Sequence, residues 1–336
     1  MTAARALARQ LCQKLLLESD ARLARAWAMI SGPTPGLLIF AFHSLFESEE
    51  EAGACWLDPQ QSITVPMFRA FVVNFQQHGY RFVSPDEIRG GLERSGKYVM
   101  ITFDDGYANN LRALPLLEEF GVPAVFCVSA NHVVTGKPFW WDVLYREGRK
   151  RTWSNGWIEG ERAALKRLRT EEVEKQLMAE FGEVAFQTAS DLDRPLTAGE
   201  LRDIARHPLV HIGNHTWDHA ILANYPGREA EDQIQKAQHA LREITGQAPQ
   251  VIAYPNGNVT RKILQAACDA GFQFGLTVRA GRNPIPKLLS PSSSLQLKRF
   301  TLWGDRDIRM QCAAAQSPFS LQSAMMAIKA AAMAQS

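Results

Sequence analysis

The sequence predicts an α/β protein, and three observations carry that expectation. Short apolar runs of strand type alternate with amphipathic runs of helical period from residue 37 to residue 303. Repeated strand–helix units of this kind call for parallel pairing, in a barrel or a doubly wound sheet. The composition, 46% hydrophobic and 21% charged, is that of a globular enzyme and excludes disordered and fibrous classes. The longest apolar run, Leu37 to Phe42, is far too short to cross a bilayer and reads as a buried strand. With 336 residues, the chain has room for one large α/β domain or two ordinary ones.

In chain order, residues 3–29 place Leu7, Leu11, Leu15, Leu23 and Trp27 at helical spacing among Arg5, Arg9, Lys14, Arg22 and Arg25. This predicts a helical extension over 1–36. The stretch Ser31 to Gly36 breaks it and releases the chain into a strand at 37–42. A helix over 66–78, a short strand at 80–83 and a strand at 98–103 follow. Next come a helix over 109–120 ended by Gly121 and a buried strand at 123–129. Residues 131–195 differ, being rich in Trp and charge with a long helical stretch near 161–188. They are expected as an insertion on one face of a barrel domain spanning 37–310. Strands at 209–213, 250–254, 272–278 and 299–303 alternate with helices over 228–245 and 260–270. Residues 311–336, rich in Ala, Met and Ser, form a C-terminal tail.

The net charge of +2, with no block of Lys or Arg, gives no reason to expect nucleic acid as a partner. Five cysteines, odd in number and without a C-x-x-C pair, fit a reducing compartment better than a disulfide framework. Charged residues recur through Arg25, which leaves no apolar stretch of signal-peptide type. A cytoplasmic location is therefore expected. The basic segment 3–25 could touch anionic lipid at the inner membrane surface, or simply pack as a helix on the barrel. Nothing in the pattern sets an oligomeric state.

Chemistry concentrates in two short stretches. Thr102-Phe103-Asp104-Asp105-Gly106 follows directly on an apolar strand, so two carboxylates leave its C-terminal end, where α/β barrels carry their active sites. Adjacent carboxylates repel unless a cation or hydrogen bonds compensate. The bland alternative is a surface Asp-Asp-Gly turn. The second stretch is His215-Thr216-Trp217-Asp218-His219, again just past a strand. Histidines at i and i+4 lie on one face of a helical turn and can chelate one ion; the alternative is two unrelated histidines. Both stretches should emerge on the same rim. One Asp with two His leaves coordination positions open, as catalytic sites do and structural sites do not.

Together these motifs resemble the polysaccharide deacetylase family of carbohydrate esterases, which includes chitin-oligosaccharide, peptidoglycan and poly-N-acetylglucosamine deacetylases. The resemblance covers residues 37–305, including Ala41-Phe-His-Ser44, Pro138-Phe-Trp-Trp-Asp142 and Ala253-Tyr-Pro-Asn-Gly257. It implies a distorted (β/α) barrel of about seven strands, a (β/α)7-type barrel with the N-terminal helical extension and helical insertion above. It implies Asp104 as general base, with Asp105, His215 and His219 holding one divalent metal ion. That ion is usually zinc, with cobalt, nickel or manganese as alternatives. The activity implied is hydrolytic removal of N-acetyl groups from an N-acetylated sugar or polysaccharide by metal-activated water. With the expected location, the substrate would be a sugar precursor or a lipid-linked glycan. A backbone N–H in the Tyr254–Gly257 turn is the expected oxyanion donor.

Two departures stand out. Ala253 to Gly257 offers no arginine to orient the base, and no histidine follows His239 to supply the family's late proton donor. Both features are similar to the exopolysaccharide deacetylase branch, in which an early histidine serves instead. His43, just past the strand 37–42, is therefore assigned as the general acid for the leaving amine, since an imidazole of pKa about 6.5 can donate at neutral pH. His211 is the second candidate. Trp140, Trp141 and Asp142 are read as a sugar-stacking wall or as packing of the insertion; His78, His132, His207 and His239 are expected at the surface. Two rival readings remain at this level. One is a non-catalytic glycan-binding protein on the same scaffold, suggested by the missing Arg and His. The other is a metal-dependent amidohydrolase acting on a small molecule.

Overall fold

The interior strands of the protein are apolar at almost every position, and that dictates how they can be used. Strand β1 (Gly36–Phe42) is buried throughout, and β3 (Lys97–Phe103) at all but its first residue. Strands covered on both faces read as continuous apolar runs, the signature of a parallel sheet. A computed structural model describes residues 18–20, 22–23, 34–54, 56–285 and 290–317. Most of the expected helical extension and most of the expected tail lie outside the described residues.

The remaining strands are β2 (Arg81–Phe82), β4 (Ala124–Val128), β5 (Val210–Asn214), β6 (Val251–Ala253), β7 (Phe274–Leu276) and β8 (Phe300–Thr301). They order as β7-β6-β5-β4-β3-β1-β8, all parallel, with β2 attached to β3. The two ends of this path approach each other through one segment. Leu297 donates to Gly275 O at 2.7 Å and Arg299 to Arg279 O at 3.0 Å; Phe300 then pairs with Phe40. Residues 297–301 thus run from β7 to β1 and draw the sheet round into the expected distorted (β/α) barrel.

Alternate side chains of the strands go to two places. Ile39, Met100, Val125, Cys127 and Val251 fill the space inside the arc. Phe40, Phe42, Ile101, Phe103 and Phe126 face outward under the helix Val65–Gln77. That helix starts at Thr64, whose hydroxyl caps the Met67 N–H, and presents Phe68, Phe71, Val72 and Phe75 on one face. Each such ring contributes roughly 1.5–3 kcal/mol when fully buried.

Three segments differ from expectation, each for a local reason. The helix expected over 109–120 is a 3₁₀ segment, Ala108–Ala113, followed by an α-helix, Leu114–Phe120, with Pro115 in its first turn and Gly121 as its left-handed cap. The long helical stretch near 161–188 is broken into Asn155–Leu165 and Thr170–Phe181. Asn224, from beyond β5, donates to the carbonyls of Lys166 and Leu168 at 3.0 and 2.8 Å, and Glu172 accepts the Arg169 N–H at 3.0 Å, so the break is pinned. The last helix, Ile308–Gln316, crosses the expected boundary after residue 310 and buries Ile308, Cys312 and Ala315 in the barrel's outer core.

The insertion between β4 and β5 begins with Ala130–Thr135 and Trp140–Lys150 and packs Phe139, Trp140, Trp141, Leu144, Val173 and Leu177 into a second core together with Phe46, Leu57 and Tyr107. Cys127, Cys268 and Cys312 are unpaired. Among the described residues no helix is long and apolar enough to cross a membrane.

Candidate active site and metal centre

Asp104 still belongs to the ladder: its N–H donates to Phe42 O at 2.8 Å, one step beyond the last β1–β3 pair. The chain leaves the strand at Asp105, which has φ 75°, and Gly106, at φ 91°. Gly106 is required there. A Cβ would meet Val128 Cγ1 at 2.9 Å, on top of the cost of that φ. The turn sends the two neighbouring carboxylates into different surroundings.

Asp105 is buried, and neither carboxyl oxygen has a hydrogen-bond partner. Nε2 of His215 and Nε2 of His219 each lie 3.4 Å from its Oδ1. His215 extends β5, donating its N–H to Val128 O at 3.0 Å. Its Nδ1 lies 2.8 Å from Ala253 O. A carbonyl only accepts, so Nδ1 carries the proton and Nε2 presents its lone pair.

The helical turn expected for 215–219 does not form, since Thr216 and His219 have φ 66° and 51°. Asn214 Oδ1 accepts the Thr216 N–H at 2.7 Å and Thr216 Oγ1 the Ala220 N–H at 2.7 Å. Gln233 takes the N–H groups of Trp217 and Asp218 through its carbonyl and its side chain. A loop tied by side chains brings the imidazoles together, with centroids 4.8 Å apart.

Three donor atoms, one each from Asp105, His215 and His219, lie within 4.8 Å of one another. The set fits a divalent ion. A buried carboxylate with two orphaned oxygens is costly unless a cation faces it, and two imidazoles with one carboxylate suit zinc-like metals with open positions. Burial would lower His215, but the charges of Asp104 and Asp105 and the Ala253 carbonyl outweigh it and raise its pKa. For His219 burial dominates Asp105, and the pKa falls well below the usual value.

Asp104 has a different partner, one missing from the sequence reading. Arg299, 1% exposed, donates from Nη1 to Asp104 Oδ1 at 2.7 Å and to Thr102 Oγ1 at 3.1 Å, and from Nε to Thr277 O at 3.0 Å. Burial pushes the Asp104 carboxyl up, but Arg299 first, then His215, hold it below the ordinary carboxylate range. The expected lack of an orienting arginine holds for the 253–257 stretch but not for the folded site. The only signal was a charged residue at the start of the strand expected at 299–303.

His43 sits half-buried past the end of β1, its charge felt by both Asp104 and Asp105. Gln61 holds it, as does Asn110, whose Nδ2 donates to His43 O at 2.6 Å. His211 is not brought in: it lies mid-strand beside Val125 and faces Asp86 at 3.8 Å. His132, expected at the surface, is buried and stacked on Phe139 at 4.0 Å; burial and Lys137 lower its pKa to about 4.

Trp140, Trp141 and Asp142 are buried, so they pack the insertion and form no sugar-stacking wall. Trp141 meets His219 edge-on at 4.5 Å and donates from Nε1 to the Tyr107 hydroxyl at 2.9 Å; Tyr107 in turn donates to Asp142 Oδ2 at 2.6 Å. In the Tyr254–Gly257 turn the N–H groups of Tyr254 and Gly257 already serve Leu276 O and Tyr254 O, so those two are not oxyanion donors.

Comparison with known proteins agrees with this fold. The polysaccharide deacetylase family model matches residues 91–275, more than half of the chain and inclusive of Asp104, Asp105, His215 and His219. A curated relative, the putative polysaccharide deacetylase YxkH of Bacillus subtilis (strain 168), is 23% identical over 227 residues. That is 66% of this chain and 61% of the relative, so the match spans under two thirds of the relative's length. Two solved structures share the fold. IcaB from Ammonifex degensii superposes with a TM-score of 0.56 at 21% identity, covering 85% of this chain and 99% of that one. The Streptococcus pyogenes deacetylase PplD, in complex with acetate, gives 0.54 at 18% identity, covering 83% and 96%. With the family's model spanning both motif-bearing strand ends, the chain belongs to the polysaccharide deacetylase family.

Proposed function

We propose that the protein is a metal-dependent hydrolase that removes N-acetyl groups from an N-acetylated sugar or polysaccharide. The observation that carries this reading is the contrast between two adjacent carboxylates: Arg299 holds Asp104, and the Asp105 carboxylate faces Nε2 of His215 and of His219. A divalent ion held by Asp105, His215 and His219 would polarise the acetamido carbonyl and acidify water. Zinc suits the donor set best.

Asp104, kept ionised and oriented by Arg299, accepts the proton of the attacking water. His43 donates a proton to the departing amine, because an amide anion is too poor a leaving group. The ground for the glycan-binding alternative weakens, since the arginine it lacked is supplied by Arg299. The unpaired Cys127, Cys268 and Cys312 support a cytoplasmic location; contact of the segment 3–25 with membrane or a lipid-linked glycan belongs to the same proposal.

Acetate release from N-acetylated sugar oligomers, measured with and without a chelator, tests the activity. Turnover that ignores full metal removal would overturn it. Elemental analysis of the purified protein decides the ion, and fractionation decides the location.

A further inference from the structure

Gln61 is buried, 3% exposed, beside the end of β1. Its Nε2 donates to Ala41 O at 2.8 Å and its Oε1 accepts the His43 N–H at 2.9 Å. A carbonyl can only accept and a backbone N–H can only donate, so the amide has one possible orientation. The same Oε1 lies 3.0 Å from His43 Nδ1. Facing an acceptor, Nδ1 must carry a proton. The imidazole is therefore the Nδ1–H tautomer when neutral, and Nε2 is the nitrogen left for chemistry.

The turn that delivers Gln61 is held from two sides. Gln60 and Ser62, its neighbours, both have positive φ, 43° and 53°. Left-handed non-glycine residues are strained and persist where surrounding structure over-determines them. Here Asp58 Oδ1 accepts the Gln60 N–H at 3.0 Å, while the Asp58 N–H donates to Asp142 Oδ1 at 2.8 Å and its carboxylate pairs with Arg162. On the other side Gly304, just past β8, donates to Gln61 O at 2.7 Å. Any Cβ at Gly304 would lie 2.0 Å from Ser62 O. The insertion and the closing segment of the barrel both clamp a strained turn whose central side chain reaches one histidine.

We propose that Gln61 is a positioning residue that fixes the ring plane and tautomer of His43, so that proton donation proceeds from Nε2. The inference rests on His43 as the acid of the proposed deacetylation. In that step the Nε2–H bond breaks and an N–H bond forms on the departing amine. The pair of the cleaved C–N bond accepts the proton, and Nδ1 keeps its own. The neutral histidine produced is already the tautomer that Gln61 binds. Gln61 does this with a neutral acceptor, so it supplies orientation without placing a further charge beside Asp104 and Asp105.

The test combines a ring measurement with a choice of leaving group. In metal-free protein, ¹⁵N NMR of the His43 ring, assigned by its loss in His43→Ala, should show Nδ1–H as the neutral form. Gln61→Met, matched in length but without the oxygen, should show a mixture with Nε2–H, and Gln61→Glu should restore Nδ1–H. In the metal-loaded enzyme, Gln61→Met should lose about 10-fold or more in kcat on an N-acetylated sugar oligomer with KM unchanged. It should keep hydrolysis of an aryl acetate, whose phenolate leaves without a proton.

Equal losses on amide and ester would reduce Gln61 to a structural residue. A wild-type ring found as Nε2–H overturns the proposal even if no variant folds. His43→Ala with full amide turnover would instead overturn the role of His43 while leaving the ring geometry standing.

Discussion

Asp104 and Asp105 are chain neighbours with the same side chain, yet the sharp turn at Asp105 and Gly106 gives them opposite surroundings. Asp105→Asn should therefore lose both the ion and activity. Asp104→Asn should keep the ion and lose about 10²-fold or more in kcat, which elemental analysis beside kinetics will separate. Arg299 deserves a harsher test because it holds the base from within the core. Arg299→Met leaves the buried Asp104 carboxylate unpaired, a change worth about 3–5 kcal/mol when one partner of a buried pair is removed. Urea unfolding should show that loss and turnover should collapse, with metal content retained. A stable, active Arg299→Met enzyme would refute the pairing. The sequence displayed the four motif residues because each pair is contiguous or nearly so. It hid Arg299 because that residue meets Asp104 across 195 positions, and only closure of the barrel makes them neighbours.

At the level of elements, periodicity served well wherever an element's own side chains set its bounds. The helix expected over 228–245 is Arg228–Thr245, with Ala230, Ile234, Ala237 and Leu241 buried on one face. It failed where partners from elsewhere decide, as at residues 166–169, pinned by Asn224, and at the loop 215–219, tied by Gln233. The helix Ala198–Ile204, which leads into β5, gives a pH-dependent prediction. Thr197 and Glu200 form its capping box, and Glu200 also pairs with Arg194 through both oxygens. The Arg194 hydrogen bond holds Glu200 at about 2, against its usual 4.5. A depressed carboxyl contributes stability fully above its unfolded value, and that contribution fades as pH falls from 4.5 toward 2. Glu200→Gln should flatten this part of the acid stability curve, with little change in relative stability below it. An unchanged curve would show that the pair is too exposed to matter. The insertion offers a second check. Tyr107→Phe removes the donor to buried Asp142 and the acceptor for Trp141 Nε1, and should cost about 1–3 kcal/mol on unfolding.

For the whole molecule, alternating strands and helices made the α/β class readable, but not the way 297–301 joins β7 to β1, since β8 itself is only Phe300–Thr301. That closure has an energetic consequence for the site. Asp105 and His215–His219 come from two different strand ends, β3 and β5, and the backbone is left-handed at Asp105, Thr216 and His219. Without a cation the folded state must bear a buried carboxylate with two unpaired oxygens, whereas the unfolded chain solvates it. An ion bound only by the assembled site stabilises the folded protein by mass action, about 2.7 kcal/mol at a free concentration 100 times Kd. For a domain of this size that is a rise in Tm of about 5 °C. Thermal unfolding of chelator-stripped protein should therefore shift upward on titration with zinc and saturate at one equivalent of bound ion. In Asp105→Asn the shift should shrink to near nothing, because the amide offers neither the charge nor the second oxygen. An equal zinc-dependent shift in both proteins would place the stabilising ion somewhere other than these three side chains.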